Sequence, residues 1–232
     1  MVELQTGDVQ YASGDVRLRG YVARPKTTAT YPGVVLIQEW WGLNDHIKSV
    51  GDRLAMEGFA VLVPDLYSRF GSPVAKDAKE AGRLMDRLRP EDGVADLLAS
   101  IAWLKGQPGV HGHRLGTLGF CMGGSFALRL ACHSNDLKAS VAFYGQVPSF
   151  DDLRELRCPV LYLYGDQDGW ITTEEVSRLQ HALQRYSKSG EVKIFPGAPH
   201  AFFNDTRPDV YRAAEAQAAW HRLLAFFRQH LV

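Results

Sequence analysis

Three residue types in the second half of the chain could form a hydrolytic site, and the first is a cysteine. Cys121 lies in the stretch "GFCMG", with Gly119 two positions before it and Gly123 two after it. A nucleophile on a tight turn between a strand and a helix has unfavourable backbone angles, and side chains at those two positions would collide. The pattern therefore predicts a thiol at a helix N-terminus, where N–H groups favour a thiolate and can hold an oxyanion. The alternative is a small buried cysteine in a glycine-rich turn, but the glycines lack the G-x-G-x-x-G spacing of a nucleotide-binding loop.

An acid and a base follow in the order expected of such a hydrolase. Asp166 and Asp168 end the stretch "CPVLYLYGDQD", and His200 follows "KIFPGAP". The order nucleophile, acid, histidine is that of hydrolases built on a mostly parallel sheet. Asp168 lies further beyond its predicted strand and is favoured as the acid, whereas Asp166 is favoured to brace the turn. His46 is the competing base and is interpreted as a solvated helix start.

The elements that must position these residues alternate along the chain. The first 25 residues read as two extended pieces joined by a turn at Ser13-Gly14-Asp15, which predicts a hairpin. Short apolar runs then alternate with segments of helical spacing, which predicts an α/β fold with a mostly parallel sheet and helices on both faces. Ligands bind at the carboxyl ends of strands in such sheets. The predicted helices span residues 45–57, 75–88, 91–106, 122–133, 173–187 and 208–230.

Length and composition limit the classes of protein. A chain of 232 residues suits one domain, 1–232, with 68–89 as the candidate for an insertion. The 26 basic and 26 acidic residues balance, which argues against nucleic acid or an anionic membrane as partner. Three cysteines without ligand spacing predict neither disulfides nor a metal site, and Cys132 and Cys158 are interpreted as packing residues. With no predicted leader or membrane span, we expect a cytoplasmic protein.

Five motifs carry a resemblance to a known family. In order along nearly the whole chain, they are "LIQEWWGLN", "VPDLYSR", "GFCMGG", "GDQDGW" and "PHAFFN". On these motifs the chain is identified as a member of the dienelactone hydrolase family, within the α/β-hydrolase superfamily. The resemblance implies the α/β-hydrolase fold and a Cys121-His200-Asp168 triad that needs no cofactor.

The resemblance also implies how the thiol is controlled. The backbone N–H groups of Met122 and Trp40 are expected to form the oxyanion hole, which agrees with the loop that supplies the second donor in this fold. Glu39 is expected beside the thiol, where a carboxylate would oppose thiolate formation or accept the thiol proton until substrate binds. The alternative for Glu39 is a solvated loop carboxylate.

Substrate choice is where the sequence departs from the family pattern. The resemblance implies arginines that bind a substrate carboxylate, and Arg69 can supply one of them. The position four residues after His200 is Asn204, so the second guanidinium is absent there and carboxylate recognition is weakened. An apolar pocket is indicated instead by the aromatic residues, which are Trp40, Trp41, Tyr67, Tyr144, Trp170, Phe202 and Phe203.

These features predict a cysteine hydrolase of small esters or lactones that works through a thioester acyl-enzyme. We expect its only partner to be a small-molecule substrate, and we expect it to need no cofactor or metal and to bind neither nucleic acid nor a membrane. The protein would be a monomer or a weak homo-oligomer. The alternative function is a non-hydrolytic ligand-binding protein or thiol sensor on the same fold, with Cys121 as its reactive thiol.

Overall fold

Residues 2–232 are described by a computed structural model of the chain. Over these residues, eight strands alternate with seven α-helices, and a 3-10 turn spans Ser68–Phe70. The strands are β1 (Leu4–Ser13), β2 (Val16–Pro25), β3 (Tyr31–Ile37), β4 (Ala60–Pro64), β5 (Val110–Phe120), β6 (Leu137–Phe143), β7 (Val160–Gln167) and β8 (Gly190–Pro199). The helices are α1 (Asp45–Met56), α2 (Ala78–Arg87), α3 (Pro90–Lys105), α4 (Met122–His133), α5 (Phe150–Leu153), α6 (Thr173–Arg185) and α7 (Ala213–Leu231).

The strands are arranged in the order β1-β2-β4-β3-β5-β6-β7-β8. β1 and β2 form the predicted antiparallel hairpin, and β2 pairs antiparallel with β4. The β3–β4, β6–β7 and β7–β8 pairs are parallel. The predicted class, a mostly parallel sheet flanked by helices in the α/β-hydrolase arrangement, is confirmed. The chain divides into two compact units within β5, one ending at Thr117 and the other beginning at Leu118. The prediction of a single domain over 1–232 stays a prediction.

The first unit contains the hairpin, α1 to α3 and the start of β5. The hairpin turns at Gly14, whose φ of 56° suits a residue without a Cβ atom. All five residues of β4 are buried, as are the last six of β3, so both strands are covered on both faces. Helix α2 begins three residues later than predicted because the Asp77 side chain caps it, accepting a hydrogen bond from Glu80 N at 2.8 Å.

The second unit contains the end of β5, β6 to β8 and α4 to α7. Helix α7 buries the side chains predicted to face inward, which are Trp220, Leu223, Leu224, Phe226 and Phe227. It begins at Ala213, later than predicted, because the preceding residues form a turn in which Arg212 N donates to Phe202 O at 3.0 Å. Cys132 and Cys158 are buried, as expected of packing residues, and burial raises the pKa of each thiol to about 12.

Within residues 2–232, no helix is both long enough and apolar enough to cross a bilayer.

Candidate active site

Cys121 occupies a strained turn between β5 and α4. Its φ of 54° and ψ of −119° lie outside the regions that a non-glycine residue prefers, and Met122 begins α4 directly after it. A Cβ atom on Gly119 would lie 1.9 Å from Gly123 O, so the predicted collision is real and glycine is required at that position. Cys121 N donates to Phe143 O at 3.1 Å, which ties the turn to the end of β6. The thiol is therefore held, partly exposed, at the N-terminus of a helix of 12 residues.

Two further glycines bring that helix close to the neighbouring strand. A Cβ atom on Gly124 would lie 2.5 Å from Phe143 O, and one on Gly145 would lie 2.2 Å from the carbonyl carbon of Gly124. Backbone therefore packs directly on backbone here. The close approach lets Ser125 Oγ accept a hydrogen bond from Gln146 N at 2.7 Å, which links the first turn of α4 to the loop after β6.

Asp168 and His200 form a short hydrogen bond. Asp168 Oδ2 lies 2.8 Å from His200 Nδ1, the Asp168 side chain is 0% exposed and the His200 side chain is 15% exposed. Both residues follow strands, as predicted: Asp168 comes after β7 and His200 after β8. The parallel pairing of β7 and β8 places the two strand ends side by side, which is why residues 32 positions apart meet.

Two backbone N–H groups hold the other oxygen of Asp168. Trp170 N and Ile171 N donate to Asp168 Oδ1 at 2.8 and 2.9 Å. The carboxylate is thus fixed at both oxygens and can turn neither toward solvent nor away from His200. These donors were not predicted from the sequence, although an aspartate that accepts from the N–H two residues later is a common turn pattern.

Asp166, the competing acid, has a different role. Its Oδ1 accepts a hydrogen bond from Gly197 N in β8 at 2.7 Å, and Gly197 has a φ of 73°. The prediction placed this bracing contact within the turn that contains Asp166, whereas the bond reaches the neighbouring strand. The bond stabilises the irregular pairing between β7 and β8 just before His200.

The imidazole of His200 is a stronger base than a free histidine. Burial alone would lower its pKa, but the hydrogen bond to Asp168 and the interaction with Cys121 outweigh burial and raise the pKa to about 10. Nε2 is buried and has no hydrogen-bond partner among residues 2–232. The thiol thus interacts with the ring without a hydrogen bond of normal geometry, as is common in sites without substrate.

Aromatic rings surround the imidazole. The Trp170 ring stacks on it, with centroids 5.7 Å apart and planes at 24°, and the Tyr144 ring lies 5.0 Å away at 58°. Tyr144 is buried, with an unusual φ of 38°, and Phe202 packs against it at 5.6 Å. Phe202 is itself fully buried. Tyr144 and Phe202 therefore support His200 from within the core of this unit.

The side chain of Asn204 is used within its own loop. It is 2% exposed, and its Oδ1 accepts hydrogen bonds from Thr206 N at 3.1 Å and Thr206 Oγ1 at 2.6 Å. An arginine could not accept these bonds, so the loop suits an amide at this position.

The first unit holds the other predicted residues. Glu39 lies two residues after β3 and is 5% exposed, so the alternative of a solvated loop carboxylate is wrong. Tyr67 is buried, and its hydroxyl donates to Trp40 O at 2.9 Å. His46 is 8% exposed in the first turn of α1, so its interpretation as a solvated residue is wrong.

Arg69 is paired inside this unit. Its Nε and Nη2 donate to the two carboxylate oxygens of Asp96 at 2.8 Å each, and the Asp96 side chain is 1% exposed. Bidentate pairing with a buried carboxylate fixes the guanidinium and raises its pKa. Asp96 lies in α3, so the pair attaches the loop after β4 to that helix.

Known proteins resemble this chain over nearly its whole length. The family model described as the dienelactone hydrolase family matches residues 18–231. A protein of Bradyrhizobium, assigned as a 2-oxo-3-(5-oxofuran-2-ylidene)propanoate lactonase, is 34% identical over 94% of this chain and 92% of its own. An assigned carboxymethylenebutenolidase of Escherichia coli is 35% identical over 94% of this chain and 84% of its own. The crystal structure of an assigned dienelactone hydrolase from Klebsiella pneumoniae superposes with a TM-score of 0.92 at 32% identity, covering 98% of this chain and all of that one.

Proposed function

The chain belongs to the dienelactone hydrolase family, and on that premise we propose that it cleaves small esters or lactones through a Cys121-His200-Asp168 triad. As a member of this family, it is a carboxylic ester hydrolase. The observation that carries the triad is the 2.8 Å bond between Asp168 and His200 beside a thiol on a strained turn. No cofactor enters the proposed reaction.

The first half of the reaction transfers the acyl group to sulfur. Cys121 Sγ attacks the carbonyl carbon while the thiol proton passes to His200 Nε2, and Asp168 keeps the other ring nitrogen protonated. The carbonyl oxygen takes the electron pair as an oxyanion, which the Met122 N–H at the start of α4 stabilises. When the tetrahedral intermediate collapses, the bond to the leaving oxygen breaks and His200 protonates that oxygen. A thioester on Cys121 remains.

The second half returns the free enzyme. His200 Nε2 takes a proton from water, and the hydroxide attacks the thioester carbon. The carbon–sulfur bond then breaks, the sulfur recovers the proton from His200, and the carboxylic acid leaves. In the acyl-enzyme the sulfur is part of a thioester, so the contribution of Cys121 to the raised pKa of His200 is lost and the neutral imidazole can take this proton.

We infer that the preferred substrate carries no carboxylate. The Arg69 guanidinium is already bound to Asp96 through two of its nitrogens, and Asn204 uses its amide oxygen within its own loop. Arg207, the next arginine along the chain, pairs with Asp209 at 2.9 Å. Apolar contacts with aromatic side chains are the better-supported means of binding.

The proposal also includes four predictions that were made from the sequence. These are the control of the thiol by Glu39, the second oxyanion donor at Trp40, substrate contacts of Tyr67, Tyr144 and Phe202, and a cytoplasmic protein without a macromolecular partner. The thiol-sensor alternative also remains, but it gives no reason for a base and an oriented acid beside Cys121.

A matched pair of esters tests the proposal. We would measure hydrolysis of para-nitrophenyl butyrate and para-nitrophenyl hemisuccinate, which are similar in size but differ by one carboxylate. The wild-type protein should cleave the butyrate at least about tenfold faster, since one misplaced charge costs on the order of 1.4 kcal/mol or more. Cys121→Ala should lose both activities.

Other outcomes would reject parts of the proposal. A preference for the hemisuccinate would show a carboxylate-binding cation and reject the uncharged substrate. Equal rates for the wild-type protein and Cys121→Ala would reject the nucleophile. An inactive wild-type protein whose Cys121 reacts with peroxide as readily as with an alkylating agent would favour the thiol sensor.

A further inference from the structure

We propose that Trp170 is a positioning residue for His200, whose indole face holds the imidazole ring in place and stabilises its protonated form. The inference rests on the proposed function, because it assumes that His200 accepts and returns the proton in each half of the reaction. Neither the family match nor the triad itself requires an aromatic side chain at this position.

The geometry around the imidazole is the first support. The Trp170 and His200 rings are nearly parallel, at 24°, with centroids 5.7 Å apart, and the Tyr144 ring contacts the imidazole at 58°. Nδ1 is fixed by Asp168, whereas Nε2 has no hydrogen-bond partner among the described residues. The bond to Asp168 holds one edge of the imidazole, and the packed rings oppose tilting of the edge that carries Nε2.

The exposure of Trp170 is the second support. It is 57% exposed, and it is the one aromatic residue among the large apolar side chains that lie exposed in residues 2–232. Trp220, by contrast, is 8% exposed in the core. An indole that remains largely in water gains little from burial, so its stacking on His200 is not explained by core packing.

The backbone of Trp170 has a separate task. Its N–H donates to Asp168 Oδ1 at 2.8 Å, and any residue except proline retains that bond. A change of side chain at this position therefore removes the ring from His200 while the carboxylate stays in place. The effect of the ring is experimentally separable from the effect on Asp168.

The indole face of Trp170 should also affect the pKa of His200. The charged or ionisable groups that act on the imidazole are Asp168 and Cys121. A cation within about 6 Å of an indole centroid is attracted to the face of the ring. Loss of the indole face should therefore lower the pKa of His200 by roughly half a unit.

Two substitutions separate the aromatic face from simple bulk. Trp170→Phe keeps an aromatic face and Trp170→Leu keeps an apolar side chain without one. We would follow the imidazole resonances of His200 by NMR from about pH 5 to pH 11, assigning them by their loss in His200→Gln. We would also measure kcat and KM for para-nitrophenyl butyrate over the same range.

In Trp170→Leu we expect a lower pKa of His200 and, because the imidazole is held less firmly, a kcat reduced about fivefold to tenfold with KM within about twofold. Trp170→Phe should restore both values most of the way. An unchanged pKa in Trp170→Leu, or equal damage in the two variants, would overturn the proposal. A raised KM with unchanged kcat would also overturn it, because Trp170 would then be a substrate contact. The NMR titration needs no turnover, so an inactive wild-type protein would reject the proposed function and leave this inference decided by the resonances.

Discussion

Replacing Asp168 by asparagine should disable His200 as a base while leaving the shape of the site unchanged. Trp170 N and Ile171 N both donate to Asp168 Oδ1. In Asp168→Asn, these two donors require the amide oxygen at that place, because an NH2 group there would face two N–H groups. The amide NH2 must then point at His200 Nδ1 and donate to it.

That orientation fixes the wrong tautomer of His200. With Nδ1 as the acceptor, the ring proton lies on Nε2, which can no longer take the proton of the Cys121 thiol. Loss of a general base costs on the order of 10² to 10⁴ in rate, or about 3 to 5 kcal/mol at roughly 1.4 kcal/mol per factor of ten. We expect kcat/KM of Asp168→Asn to fall by that factor, with the free energy of unfolding reduced by about 1 to 3 kcal/mol for the lost charged hydrogen bond.

Asp166→Asn is the matched control, two residues away. Asp166 Oδ1 accepts hydrogen bonds from Gly197 N at 2.7 Å and from Gln167 Nε2 at 3.3 Å, and an asparagine oxygen can accept both. Its kcat/KM should stay within about threefold of the wild-type value, as expected for retained neutral hydrogen bonds. Both variants would be assayed with para-nitrophenyl butyrate and checked by urea unfolding. Activity of Asp168→Asn within threefold of wild type, or equal losses in the two variants, would show that Asp168 does not fix the tautomer of His200.

Three other perturbations have defined outcomes. Gly119→Ala should reduce the free energy of unfolding in urea by more than about 3 kcal/mol because its Cβ would meet backbone at 1.9 Å, whereas Gly82→Ala, with open space, should be neutral or stabilising. Arg69→Met should reduce the free energy of unfolding by about 3 kcal/mol, because buried Asp96 is then left unpaired. Adding Asp96→Leu should recover most of that loss, and no recovery would contradict the pairing of these two residues. The pKa of His200 is higher in the folded chain than in the unfolded chain, so His200→Gln should be least stable relative to wild type below about pH 6.5. The difference in the free energy of unfolding should shrink as the pH rises toward 10, and a constant difference would contradict the raised pKa.

The turn and the order of the site residues could be read from the sequence because their causes are local. Gly119 is dictated by a collision with Gly123, four positions away, and a strained Cys121 follows from the same turn. The strand ends that carry Asp168 and His200 follow from alternating apolar runs, because parallel strands bring their carboxyl ends to one edge.

The contacts that were not predicted join residues distant in sequence. The stacking of Trp170 on His200 spans 30 positions and the pairing of Arg69 with Asp96 spans 27, so neither leaves a periodic pattern. The burial of His46 likewise depends on what covers α1, which a helical pattern alone does not specify. Such contacts depend on side-chain directions that only the folded chain defines.

The mass of the intact protein would show whether Cys121 carries the acyl group during turnover. Wild-type protein would be mixed with a slowly deacylating para-nitrophenyl ester, quenched in acid within seconds and weighed beside Cys121→Ala treated in the same way. If Cys121 is the nucleophile, the wild-type protein gains one acyl group on the peptide that contains Cys121, and the variant gains none. An adduct of equal size on Cys121→Ala, or turnover by wild-type protein with the acyl group on another residue, would contradict that role of Cys121.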